Sequence, residues 1–193
     1  MPSNDWLATS RSEAAVDRIL DAAEQLYTRR DSDAIGMNEI ARAAGCSRAT
    51  LYRYFDNREA LRTAYIHRET RRLGREIAAR TATVEDSRER LIESILVTLA
   101  MVRDSPALSS WFAATRLPVA GELAAESDVI AALVTAFLHS LGPDDPVLLQ
   151  RRARWTVRVI ISLLMFPGRD ADEERAMIEE FLVPIIAPAS ARR

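Results

Sequence analysis

Apolar residues recur at helical spacing along nearly the whole chain, and no stretch alternates long enough to make a strand. The pattern predicts an all-α protein of about nine helices. Val16, Ile19, Leu20, Ala23, Leu26 and Tyr27 form one stripe of a first helix, which ends before the turn-forming run RDSDAIG. Asn38 to Ala44 predicts a short second helix, closed by Gly45 where a left-handed residue commonly ends a helix. A third begins at Ser47, and a long fourth runs from Asn57 to about Ala82. The later part of that fourth helix, RETRRLGREIAARTA, is too polar for a core and reads as a connector. Beyond it, Leu91, Ile92, Ile95, Leu96 and Leu99, then Val129, Ile130, Leu133, Val134, Phe137 and Leu138, predict body helices. Pro106, Pro118, Pro143, Pro146 and Pro167 mark joints between periodic segments. The simplest partition is a head over residues 1–56 and a body over 57–193, with the seam in the fourth helix.

The segment GCSRATLYRYFDNREAL carries the most informative chemistry. On a helix from Ser47 to Phe55, at about 100° per residue, Leu51 and Phe55 share one side. Ala49 and Arg53 occupy the other, flanked by Tyr52 and Asp56, and Arg48 projects from the first turn. Ser47 suits the N-cap, where its hydroxyl accepts a backbone N–H. A capped helix after a glycine turn, anchored by Leu51 and Phe55 on Ile40 and Ala44, is a helix-turn-helix. Its outer face is basic and aromatic, as a major-groove reader requires, although an ordinary helical hairpin with solvated arginines fits the same spacing.

Charge sharpens that reading. From Arg42 to Arg72 there are eight arginines against Asp56, Glu59 and Glu69, a net of +5 in a chain whose formal charge is −2, so the remainder carries −7. One basic zone on an otherwise acidic molecule suits a nucleic-acid partner. Every one of the 26 basic residues is arginine, which leaves no lysine chemistry.

The run MNEIARAAGCSRATLYRYFDNREAL resembles the DNA-binding head of the tetracycline-repressor (TetR) family of transcriptional regulators, over approximately Ala14 to Tyr65. The resemblance implies that Arg48, Ala49 and Tyr52 face bases while Thr50, Arg53, Tyr54 and Arg58 hold phosphates of a double-stranded DNA operator. One departure is Gly36, where the family often has Ser or Thr before the second helix. A side-chain phosphate contact is lost there, though backbone N–H groups at a helix start still favour an anion.

The resemblance further implies a homodimer, a palindromic operator, and a repressor released when a small-molecule inducer reshapes the body. Three or so base-reading residues per head discriminate too little to find a genomic site alone, which also favours two heads. Val157 to Phe166 is apolar nearly all round, and Met177, Ile178, Phe181, Leu182 and Ile185 make a second stripe. Val157, Ile161, Leu164, Ile178, Phe181, Leu182 and Ile185 are the expected dimer residues, although periodicity fits a monomer core equally well. For the inducer, Met101, Trp111, Phe112, Phe137 and Trp155 supply apolar surface, and Arg116 or Arg158 could meet an acidic or polar end. The inducer's identity is not written in these residues, and control by a protein partner instead of an inducer fits the same head.

Enzyme chemistry finds little footing. His67 and His139 belong to no metal pattern, there is no glycine-rich phosphate loop, and Cys46 sits in the turn of the reading head without a nearby His. A single cysteine forms no internal disulfide, so a reducing cytoplasm fits. No cofactor or metal is expected. The most apolar run, Val159 to Phe166, falls far short of the ~20 residues that cross a bilayer, so no membrane partner is expected either.

Overall fold

A computed structural model describes residues 5–30, 32–109, 112, 127–142 and 145–187. Among the described residues the protein is all-helical, without a strand. The chain divides into two compact units, Met1–Ile66 and His67–Arg193, so the division falls inside the fourth helix.

The first unit holds α1 (Asp5–Arg29), a 3-10 turn (Ser32–Ala34), α2 (Met37–Ala43), α3 (Arg48–Tyr54) and the opening turns of α4 (Arg58–Arg80). Its core contains Ile19, Leu20, Ala23, Tyr27, Ile35, Ile40, Leu51 and Phe55, together with Leu61 and Tyr65 of α4. Those two α4 residues carry the unit past residue 56. The apolar stripe that starts α4 completes the core of the head.

α2 ends as its sequence dictates. Gly45 lies at φ +65°, its N–H donates to Arg42 O at 3.1 Å, and the Cys46 N–H donates to Ala41 O at 2.9 Å. Two otherwise orphaned carbonyls are thereby satisfied, in a turn that requires a left-handed residue.

The second unit holds the rest of α4, then α5 (Ser87–Asp104), α6 (Pro106–Ser109), α7 (Asp128–Leu141) and α8 (Pro146–Met165). A C-terminal helical run follows, comprising α9 (Ala171–Met177), a π-helical stretch (Ile178–Leu182) and α10 (Val183–Ile186). Side-chain caps start most of these helices. Asp86 accepts from the Glu89 N–H at 2.8 Å, Asp145 from Leu148 at 2.9 Å, and Asp170 from Glu173 at 2.8 Å. Ser127 caps α7 through the Ile130 N–H and also meets His67 Nε2 at 2.8 Å. The π stretch precedes Pro184, whose ring would clash with a carbonyl four residues back, and the Val183 N–H reaches Ile178 O instead.

The body core runs through Leu91, Ile95 and Leu99 of α5, Leu138 of α7, Leu149 and Ala153 of α8, and Ile178 and Leu182 near the C-terminus. At its edge Glu174 is 4% exposed yet charged. Arg103 grips it with two bonds of 2.8 and 2.6 Å, and the Gly168 N–H adds a third at 3.0 Å. These bonds hold its carboxyl below the usual range. A β-carbon on Gly168 would lie 2.8 Å from Glu174 Cγ, so the joint between α8 and α9 closes only over glycine.

Gly45→Ala forces a β-carbon into the left-handed region and should cost about 1–2 kcal/mol, read as a lower urea midpoint with unchanged slope. Tyr27 packs edge-on against Tyr65, with ring centroids 5.3 Å apart, and burial pushes its phenol up to about 12, partly opposed by Arg62 beside it. The unfolded phenol loses its proton near pH 10 while the folded one keeps it. The folded form is therefore favoured fully below pH 10, and that advantage drains away between pH 10 and 12. Native stability should fall by up to about 2–3 kcal/mol across that window, and Tyr27→Phe should flatten the fall.

Candidate nucleic-acid interface

The exposed face of α3 is built by what the helix buries. Leu51 is fully buried and Phe55, its C-cap, is 6% exposed, which turns the remaining side chains outward. Ser47 accepts the Thr50 N–H at 3.0 Å, and its hydroxyl meets Thr50 Oγ1 at 2.9 Å. The first turn is thus fixed by the residue that starts it.

Arg48, Ala49, Tyr52 and Arg53 are exposed, while Thr50 and Tyr54 are half-buried. The Arg48 guanidinium lies 5.3 Å from the centre of the Tyr52 ring, and that of Arg53 lies 5.2 Å from the centre of Tyr54. Stacking on an aromatic face restrains each arginine without using its donors, leaving the planar fork available for a base edge or a phosphate. Arg58 is half-buried and donates one N–H to Asp33 O at 2.9 Å. A guanidinium has five donors, so this bond fixes Arg58 without exhausting it.

The structure sorts the basic zone that the sequence presents as a block. Arg62 is only 4% exposed and is committed to Asp33 and Glu59. Arg68 and Arg72 both engage the buried carboxylate of Glu69, at 3.0 and 3.7 Å. Arg62 and Arg68 serve the fold, while Arg72 stays largely exposed. Arg42 is exposed in the last turn of α2, a position that the charge count includes without assigning it a role. Helical spacing does not separate such residues, since a buried paired arginine and a solvated one have the same periodicity. At Gly36 the helix start has no side-chain cap, and φ −93° and ψ 157° suit any residue.

In the body the expected contact residues scatter. Met101, Phe112 and Phe137 are half-buried, with Arg90 5.9 Å from the centre of the Phe137 ring, while Trp111 and Arg116 lie outside the described residues. Trp155 is 48% exposed and Arg158 is exposed, so both face outward from α8. Among the expected dimer residues, Val157, Ile178 and Leu182 are buried, Ile161 and Leu164 half-buried, and Phe181 and Ile185 exposed. The C-terminal stripe therefore splits into two faces. Ile178, Leu182 and Ile186 point inward, and Met177, Phe181 and Ile185 point outward. Phe166, 69% exposed, joins the outward set without having been singled out as a contact residue, because it caps α8 where periodicity ends.

A short helix anchored by two apolar residues behind a glycine turn, with arginines stacked on tyrosines facing outward, defines a DNA-binding head of helix-turn-helix type. Residues 19–65 match the model of the bacterial regulatory proteins of the tetR family. An uncharacterised HTH-type transcriptional regulator of Mycobacterium tuberculosis is 68% identical over 191 residues, covering 99% of this chain and 95% of that one. The chain belongs to the TetR family of transcriptional regulators, and is a regulator rather than an enzyme. Among solved structures, the TetR family repressor AlkX from a Dietzia strain, implicated in biodegradation of n-alkanes, is 25% identical with a TM-score of 0.66, covering 88% of this chain and 96% of that one. RolR in complex with resorcinol shares the fold at 17% identity with a TM-score of 0.71, over 92% of this chain and 90% of that one.

The two helix starts in the head should respond oppositely to substitution. Ser47→Ala removes the acceptor for the Thr50 N–H and should cost about 1 kcal/mol, whereas Gly36→Ser, into open space, should gain a few tenths. Thermal unfolding of the two variants checks both signs.

Proposed function

We propose that the protein is a transcriptional repressor that binds a palindromic operator as a homodimer and is released by a small, mainly hydrophobic ligand. The observation that carries the reading is the outward face of α3, where Arg48 is stacked on Tyr52 and Arg53 on Tyr54 above a buried Leu51. Arg48, Ala49 and Tyr52 read base edges in the major groove, arginine being the natural donor to guanine. Thr50, Arg53, Tyr54 and Arg58 hold phosphates and fix the register, and Arg42 adds charge from α2. The site of action is the cytoplasm.

Two heads are needed for specificity, and the outward apolar residues of α8 and the C-terminal run give a second copy something to cover. Trp155, Phe166, Phe181 and Ile185 are each about half exposed or more. Isolated exposed apolar residues are ordinary, but several large ones on adjoining helices favour an interface. The ligand site draws on Met101, Phe112 and Phe137, and on Trp111 and Arg116. A hydrophobic ligand is favoured by these residues and by the alkane-degradation context of the Dietzia repressor. Release follows if the ligand prefers the body shape in which the two heads no longer match the groove spacing.

Fluorescence anisotropy with DNA from beside the protein's own gene tests the reading. Arg53→Ala and Tyr52→Ala should each weaken binding about tenfold or more with helix content unchanged. Three or four ionic contacts per head predict that log K falls with log salt at a slope of about −5 to −7 for the dimer. A flat salt response, or full binding in both variants, would overturn the assignment of this face.

A further inference from the structure

The outward faces of α8 and of the C-terminal run carry opposite charges among their apolar groups. On α8 the exposed stripe is Leu148, Arg151, Trp155, Arg158 and Ser162, ended by Phe166. On the C-terminal run, Met177, Phe181 and Ile185 point outward with Glu180 beside them. Among the described residues Arg151, Arg158 and Glu180 make no ion pair, while their neighbours are occupied. Glu179 accepts from Arg175 at 3.2 Å, and Arg103 is closed on Glu174.

An arginine inside an apolar stripe loses its hydration when the stripe is covered, and then needs a counter-charge. The face of α8 is therefore satisfied by a surface that offers apolar side chains around a carboxylate. The C-terminal run of this same chain is such a surface, and its Glu180 has the converse need. Arg158 lies between the exposed aromatics Trp155 and Phe166, as Glu180 lies between Met177 and Ile185, so both charges sit mid-stripe. Reciprocal complementarity, in which each face supplies what the other lacks, is the condition for a twofold contact.

We propose that Arg158 pairs with Glu180 of the partner subunit, in two symmetry-related ion pairs that set the register of the homodimer. The inference rests on the dimer of the proposed function and adds the residues that select its alignment. It also gives Arg158 a role at a protein surface instead of at a ligand.

Charge reversal tests the pairing in the full chain, followed by sedimentation velocity. Arg158→Glu and Glu180→Arg each set like charges against one another and should weaken the dimer about tenfold or more. An equimolar mixture of the two variants should regain wild-type association, because each chain then meets its complement, and the double variant should regain it alone. Arg158→Gln and Glu180→Gln should each weaken the dimer, and mixing them should restore it in part, because the heterodimer keeps one of the two ion pairs. Circular dichroism should be unchanged throughout, since both residues are exposed. A wild-type monomer at micromolar concentration overturns the dimer and this pairing together. A wild-type dimer that either reversal leaves intact, or that mixing fails to restore, overturns the pairing alone.

Discussion

One backbone conformation governs where the exposed basic face of α3 points. Gly45 in the left-handed region lets α2 end with two nested backbone bonds and sends the chain at once into the Ser47 cap of α3. α3 spans only seven residues, too few to hold its shape unaided, so its orientation comes from that turn and from Leu51 and Phe55 in the core. The Arg48–Tyr52 and Arg53–Tyr54 stacks inherit their direction from these anchors. The chemistry of the face is thus a consequence of backbone geometry a few residues upstream.

The same economy appears where α4 begins. Asn57 caps it through the Ala60 N–H at 2.8 Å, Arg58 reaches the Asp33 carbonyl, and Arg62 is buried against Asp33 and Glu59. Leu61 and Tyr65 then fill the head's core. Arg58 and Arg62, about one turn apart, therefore differ in burial, one half-buried and the other interior, and a basic zone read as one block is in part an internal scaffold. In the body the analogous device is Glu174, whose desolvation is offset by Arg103 and the Gly168 N–H.

Much of this was legible in advance because it is local. The Ser47 cap, the glycine stop after α2, the inward pair Leu51 and Phe55, and the outward Arg48, Tyr52 and Arg53 all follow from spacing within a dozen residues. The body was legible as helices but not as faces. Ile178 and Phe181 belong to one apolar stripe in sequence, yet one is 1% and the other 64% exposed. A helix that is apolar most of the way round has no intrinsic inside, and only its packing partners choose one. Trp155 and Arg158 show the same ambiguity on α8, where helical angle fixes their common direction but not what lies in it.

By itself, then, the sequence determined the all-helical class, the end of α2 and the start of α3, and the residues able to present a basic aromatic surface, since capping, periodicity and glycine's conformational freedom are short-range properties. Tertiary structure alone decided which arginines are consumed by internal carboxylates and which apolar side chains remain uncovered. Those outcomes depend on contacts between residues distant in the chain, such as Arg62 with Asp33 and Arg103 with Glu174, and no local pattern encodes which partner arrives.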